Sequence, residues 1–184
     1  MSDFIRMIYQ LVQDMIDLAR FRVRPLTEYH YPGWQIMSVV TLIGLFAAAS
    51  ASDIQASVPA RIVFFVMLKW LELSLMSWFF NWWMRQGENW DGEGEILPLL
   101  VASSGINLLA PLLSWFPDGV AQLLAIGMSA YGVLVLVQAL SLATGARRGH
   151  VIGGVLLFLP MAVACYLVAI TFAVQVDWIA LADK

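Results

Sequence analysis

Residues 60–85, ARIVFFVMLKWLELSLMSWFFNWWMR, decide the fold that this sequence can adopt. At about 1.5 Å of rise per residue, about 25 residues of α-helix extend roughly 37 Å, which exceeds the roughly 30 Å hydrocarbon core of a bilayer. The stretch therefore predicts a membrane-spanning helix that tilts or projects at one end. Near its middle, however, it carries two charged residues, Lys69 and Glu72.

Lys69 and Glu72 are costly at that depth, since an isolated charge costs about 3 kcal/mol at the centre of a bilayer on an insertion scale. Their i,i+3 spacing places both side chains on one helix face, where an ion pair or a polar cavity offsets the cost. We expect them to face the bundle interior, with Asn107 or Gln138 as the nearest polar neighbour. The pair either fixes the helix register or belongs to an intramembrane polar site formed by Lys69, Glu72, Asn107 and Gln138.

The composition of the whole chain is that of a membrane protein. Of its 184 residues, 61% are hydrophobic and only 12% are charged, whereas about a quarter of the residues in a soluble domain are charged. Five spans leave no room for a further soluble domain. The sequence predicts an all-α, polytopic membrane protein: residues 1–25 form an N-terminal amphipathic surface helix, and residues 26–184 form a domain of five transmembrane helices.

The surface helix is predicted over residues 3–21, where apolar residues recur every three or four positions with charged residues between them. It lies along the membrane surface, with Arg20, Arg22 and Arg24 facing anionic headgroups, or else it packs on the protein's own spans. Both arrangements fit the pattern.

Aromatic residues mark the ends of the first two spans. Tyr29, Tyr31 and Trp34 precede or open the first span, and Trp82 and Trp83 close the second. Because amphipathic rings favour the level of the lipid headgroups, we expect these residues to act as interfacial anchors.

The other four spans are predicted at residues 34–51, 96–115, 120–143 and 151–176. Gly44, Ala48 and Ser52 form a small-residue stripe on the first, and Gly149 and Gly153 form another at the start of the last, which allows neighbouring helices to approach closely. Pro111 removes a backbone hydrogen bond from the third span and predicts a kink or a break. Broken helices build sites in transporters, but they also occur in spans that only pack.

Basic residues outside the spans predict the orientation. If five helices alternate, only Arg61 and Lys184 fall on one side, and seven arginines fall on the other. Those seven are Arg6, Arg20, Arg22, Arg24, Arg85, Arg147 and Arg148. The N-terminus is therefore expected on the cytoplasmic side and the C-terminus on the opposite side.

Motifs of known enzymes are absent from the sequence, which contains no HExxH, GxSxG, P-loop or GxGxxG pattern. Cys165 is the single cysteine, and His30 and His150 lie far apart in the chain, so a usual zinc site is not expected. The net charge of -3 and the dispersed basic residues argue against nucleic-acid binding. We expect no enzymatic activity, no cofactor, no metal and no nucleic-acid partner.

Three segments follow the first two spans in a distinctive order: GENWDGEGE at residues 87–95, LPLLVASSGINLLAPLLSWFP at 97–117, and GARRGH at 145–150. This order resembles the Yip1 domain family, and most of all its bacterial members. The resemblance implies a five-span protein of the bacterial inner membrane with a cytoplasmic N-terminus and a periplasmic C-terminus. It supplies no catalytic residues. Eukaryotic relatives, which are implicated in vesicle trafficking with small GTPases, carry a longer N-terminal region that has no counterpart here.

Two functions follow from these patterns. The small-residue helix faces, the surface helix and the resemblance favour a non-enzymatic interaction, assembly or membrane-organising component. Its partners are then the lipid bilayer and other membrane-protein subunits or further copies of the chain. The alternative is a small transporter or channel subunit in which Lys69, Glu72, Asn107 and Gln138 line a polar pathway.

Overall fold

The fold is known from a computed structural model that describes residues 2–51, 54–87, 90 and 92–178, with side chains from residue 5 onward. The α-helices are α1 (Ser2–Ala19), α2 (Gly33–Ser50), α3 (Val58–Met84), α4 (Ile96–Ser103), α5 (Asp118–Thr144) and α6 (Arg148–Gln175). Two 3-10 segments, Leu26–Glu28 and Ser104–Trp115, complete the secondary structure of the described residues.

Five segments of the described chain are long and apolar enough to cross a membrane. They are α2, α3, α4 together with the 3-10 segment that follows it, α5, and α6. The predicted all-α fold with five membrane helices is therefore confirmed, and the predicted ends agree with the observed helices to within a few residues.

The short helix α4 lies at the centre of the bundle. Its residues are buried almost without exception, and they pack against α1, α3 and α5. By contrast, α5 and α6 present broad apolar faces to the outside. This distribution suits a bundle in lipid, because apolar side chains there gain nothing from being hidden within protein.

The helices α2 and α3 approach each other closely at Gly44. A Cβ atom added to Gly44 would lie 2.7 Å from the Cα atom of Val66, so the two backbones are in direct contact there. Ala48, one turn further along α2, is also buried. The small-residue stripe predicted for the first span therefore packs against α3 at Gly44, and its third member, Ser52, lies outside the described residues.

The third span changes from an α-helix to a 3-10 helix at Ser104, well before Pro111. Pro111 lacks a backbone N–H, and its ring would collide with the carbonyl four residues earlier in an α-helix, so it disfavours a regular α-helix in this segment. Two serine hydroxyls mark the transition, since Ser103 Oγ donates to the carbonyl of Leu100 (2.9 Å) and Ser104 Oγ to that of Val101 (2.7 Å). A 3-10 run of 12 residues is unusually long.

The N-terminal helix α1 packs on α4, on the second 3-10 segment and on α5. It buries Leu11, Asp14 and Leu18 against them. A different face of α1 leaves a row of large apolar side chains exposed, namely Ile5, Ile8, Tyr9, Val12 and Ile16. Of the two arrangements that the sequence allowed, α1 therefore packs on the spans, and it keeps an apolar face free as well.

Candidate functional site

A cavity of about 300 Å³ opens between α2, α3, α4, the second 3-10 segment and α5. Methionine and leucine side chains of α3 and α5 form the apolar part of its lining. Four successive elements, α3, α4, the second 3-10 segment and α5, also contribute polar side chains. These groups are Lys69, Glu72, Ser103, Ser104, Asn107 and Ser129. Lys69 and Glu72 come from the middle of α3, so the cavity lies near the mid-depth of the bundle.

Lys69, Glu72 and Tyr166 form a triangle of hydrogen bonds. Lys69 Nζ donates to Glu72 Oε2 at 2.6 Å and to the Tyr166 hydroxyl at 3.4 Å. The Tyr166 hydroxyl in turn donates to Glu72 Oε2 at 3.1 Å. The side chains of Lys69 and Glu72 are only 22% and 27% exposed, so the bundle shelters most of both charged groups.

Only one of the two residues predicted to lie beside this ion pair borders the cavity. Asn107, on the 3-10 segment, lines the same cavity, whereas Gln138 is not among its lining residues. The side chain that hydrogen-bonds to both Lys69 and Glu72 is Tyr166 of α6, which was not predicted, and of the two expected neighbours only Asn107 borders the same cavity. The sequence signal for Tyr166 was a lone tyrosine in the middle of an apolar span.

Tyr166 also borders an apolar pocket of about 100 Å³ between α3 and α6, lined mainly by Phe64, Phe65, Leu68 and Ile170. Its hydroxyl therefore faces the charged pair while its ring borders an apolar space. Tyr166, which is 40% exposed, therefore contacts the pair from α6, and the cavity borders the pair on the side of α2, α4, the second 3-10 segment and α5.

Comparison with protein-family models found no matching family. Comparison with curated proteins and with solved structures found no match either. The resemblance to the Yip1 domain family stays a prediction, and the function has to be argued from the site itself. Among the described residues, no three His, Cys, Asp or Glu side chains form a group that could hold a metal ion.

A second polar cluster joins α1 to the connection between α1 and α2. The carboxylate of Asp14 is buried, forms an ion pair with the Arg24 guanidinium and accepts a hydrogen bond from the Tyr31 hydroxyl at 2.7 Å. Burial raises the pKa of Tyr31 well above its ordinary value, so the phenol stays a neutral donor. Arg24, whose side chain is 40% exposed, therefore pairs with Asp14 of its own chain, whereas the headgroup contacts predicted for the exposed Arg20 and Arg22 stay a prediction.

The predicted aromatic anchors fall into two groups, one exposed and one buried. Trp34 and Trp82 are 39% and 51% exposed, as an anchor in the bilayer interface requires. Tyr29 is instead buried, and its hydroxyl accepts a hydrogen bond from the backbone N–H of Arg24 at 3.1 Å. Tyr31 turns inward to Asp14.

Trp83 departs most from the anchor prediction because it packs between α3 and α6. Its ring stacks on His150 with the centroids 4.8 Å apart, and its Nε1 donates to the carbonyl of His150 at 2.9 Å. A Cβ atom on Gly154 would lie 2.5 Å from the Trp83 ring. The close packing of α6 against Trp83 therefore requires a glycine at position 154, whereas the predicted small-residue stripe contained its neighbour Gly153.

Proposed function

We propose that this chain provides a polar pathway in the membrane, as a small transporter or channel subunit. The observation that carries the proposal is the convergence of Lys69, Glu72 and Asn107 on one cavity at mid-depth. A buried ion pair is seldom more stable than apolar residues of similar volume. Ionisable residues within membrane spans mark ion or solute sites by default. A bundle that only had to pack would not require this cavity.

The broken third span supports the same proposal. Ser104 and Asn107 reach the cavity from the 3-10 segment, none of whose residues is buried. Discontinuous helices in transporters expose backbone and polar side chains to a central site. Long 3-10 stretches also mark places where a helix changes shape. The segment Ser104–Trp115 is therefore the element that we expect to move when a solute enters.

The charges that line the cavity cancel, since one ammonium faces one carboxylate. A neutral polar solute finds hydroxyl and amide groups at Ser103, Ser129 and Asn107. A small cation or a proton that displaces Lys69 finds the carboxylate of Glu72, which Tyr166 still holds in place. The proposed cargo is accordingly a small polar solute or a monovalent cation.

Flux through liposomes tests this proposal. We expect the purified protein to raise proton or potassium flux above that of empty liposomes, measured with a trapped pH dye and with an imposed potassium gradient. Glu72→Gln keeps the side-chain shape but removes the negative charge, and it should reduce the flux about tenfold, which corresponds to roughly 1.4 kcal/mol in the barrier. Gln122→Leu, a change on α5 outside the cavity lining, is the matched control. A folded Glu72→Gln protein with unaltered fluxes would show that the pair is structural.

An assembly or membrane-organising role is the second proposal. It is supported by the broad exposed faces of α5 and α6 and by Gly127, where an added Cβ atom meets nothing within 4 Å. Exposed small residues allow a helix of another subunit to approach closely, and the segment order that resembles the Yip1 family favours the same role. Light scattering on protein purified in mild detergent should then give a homo-oligomer or a complex with another membrane protein. A monomer without a co-purifying partner contradicts this role.

Both proposals are non-enzymatic, and both take the same orientation. We propose that the N-terminus lies in the cytoplasm and the C-terminus in the periplasm of a bacterial inner membrane. The excess of arginine on the side of α1, of the α3 C-terminus and of the α6 N-terminus supports this orientation.

A further inference from the structure

A second groove, mainly apolar but with several polar side chains, lies on the outer face of α3. It has a volume of about 520 Å³, within the range of small-molecule sites. Its lining consists of Ser74, Ser77, Trp78, Asn81, Trp82 and Arg85, together with Leu97 of α4. At about 100° of turn per residue, this lining lies on the side of α3 opposite to Lys69 and Glu72, so the groove is separate from the cavity.

The groove runs from the end of the span into its interior. Arg85 directly follows the last residue of α3, and Ser74 lies eleven residues earlier, about 16 Å along the helix axis. Exposed Trp78 and Trp82 flank the polar residues between them. Tryptophan concentrates at the boundary between headgroups and hydrocarbon, so Arg85 lies at headgroup level and Ser74 lies in the hydrocarbon region.

The polar side chains inside this groove lack partners of their own. Other hydroxyls in the spans are satisfied by their own helix: Ser38 donates to the carbonyl of Trp34, and Thr171 donates to that of Leu167. Within the described part of the chain, the side chains of Ser74, Ser77 and Asn81 make no hydrogen bond. An unsatisfied polar group in hydrocarbon is unfavourable by several kcal/mol, roughly 2–7 by transfer data, so a molecule with polar atoms in this groove would gain hydrogen bonds from these three side chains.

Arg85 supplies the charge at the open end of the groove. Its side chain is exposed, and its guanidinium carbon lies 5.9 Å from the centre of the Trp90 ring, which helps to orient it. A planar guanidinium binds phosphate through two parallel hydrogen bonds. The groove therefore combines a phosphate-binding group at its end with hydrogen-bonding groups deeper in the bilayer.

We propose that this groove is a binding site for a phospholipid with an anionic headgroup. The phosphate lies on Arg85 and Asn81, the ester oxygens lie on Ser77 and Ser74, and an acyl chain follows Trp78. Phosphatidylcholine carries the same phosphate together with a quaternary ammonium that the positive charge of Arg85 repels, so the groove favours a lipid with a net negative headgroup. The polar residues in the hydrocarbon region select a lipid over a free phosphate, which has no atoms to place beside them.

The test is a lipid titration followed by intact-complex mass spectrometry of the detergent-solubilised full chain. We expect the protein to retain phosphatidylglycerol in preference to phosphatidylcholine. Arg85→Gln should weaken phosphatidylglycerol binding about tenfold, or roughly 1.4 kcal/mol.

The matched control is Arg148→Gln, because Arg148 is an exposed arginine at the start of α6 outside the groove, and this change should leave binding unaltered. Asn81→Leu should also weaken binding, whereas its thermal unfolding stays close to that of the unmodified protein.

Three results would overturn the proposal. Equal losses in Arg85→Gln and Arg148→Gln would mean that lipid is attracted by the surface charge as a whole. Equal retention of phosphatidylcholine and phosphatidylglycerol would remove the charge selectivity. Displacement of the lipid by glycerol 3-phosphate at matched concentration would mean that the groove recognises free phosphate instead of lipid.

Discussion

Replacing Glu72 with leucine is expected to lower the free energy of unfolding by about 3 kcal/mol, at the lower end of the range for breaking a buried ion pair. The change leaves the Lys69 ammonium in the middle of the bundle with the Tyr166 hydroxyl as its remaining acceptor. The side chains of Lys69 and Glu72 are still 22% and 27% exposed to solvent, so we expect the loss of stability to lie at the lower end of that range. Unfolding in detergent micelles, followed by tryptophan fluorescence, measures the loss.

The double variant Lys69→Met with Glu72→Leu is the decisive control. Two apolar residues of similar volume remove both charges, so its stability should return to within about 1 kcal/mol of the unmodified protein or exceed it. Lys69→Met alone should destabilise the fold less than Glu72→Leu does, because the hydrogen bond that Tyr166 keeps to Glu72 (3.1 Å) is shorter than the one it keeps to Lys69 (3.4 Å). If all three variants unfold at the same point as the unmodified protein, the pair is not sheltered as we describe.

Replacing Gly44 with alanine should lower the free energy of unfolding by about 2 kcal/mol, which is typical of overpacking at a close contact. The added methyl group would lie 2.7 Å from the Cα atom of Val66, and a backbone atom cannot rotate away as a side chain can. The helices α2 and α3 would therefore have to separate. The same unfolding measurement in detergent detects this effect.

The matched control for this prediction is Gly119→Ala on α5, where the added Cβ atom meets nothing within 4 Å. It should be neutral or stabilise the fold by up to about 1 kcal/mol, since alanine is the better helix former. Equal effects of the two glycine changes would contradict the close approach of α2 and α3.

The membrane helices could be predicted from the sequence because length and apolarity alone set them. The i,i+3 spacing of Lys69 and Glu72 is a local property of one helix, so their ion pair could be predicted as well. Gly44 belongs to the same category, since a small-residue stripe indicates a close helix contact whichever helix is the neighbour.

The features that were missed depend on how separate helices are rotated against each other. Tyr166 meets Lys69 only because α6 turns that face toward α3, and no pattern within either helix encodes that rotation. Trp82 and Trp83 are adjacent in sequence, yet one is exposed and the other packs on His150. The two tryptophans have the same hydropathy, so a hydropathy pattern cannot distinguish the exposed one from the packed one.

The contact between Asp14 and Arg24 was missed for a related reason. Three arginines lie close together before the first span, and their composition suggests a basic surface that faces headgroups. One of them folds back because α1 buries a carboxylate against the bundle. A buried charge requires a partner, but the sequence does not indicate that Asp14 is buried.

The most direct test of the account is the accessibility of the cavity to a small, charged thiol reagent in the Cys165→Ala background. Ser129 lines the cavity, whereas Leu134, on the same helix, is 59% exposed and outside the lining. The polar cavity predicts that Ser129→Cys reacts at least about ten times faster than Leu134→Cys, because the charged reagent enters water-filled space but not hydrocarbon. Equal rates at the two positions, or faster modification at position 134, would contradict a polar cavity beside Lys69 and Glu72.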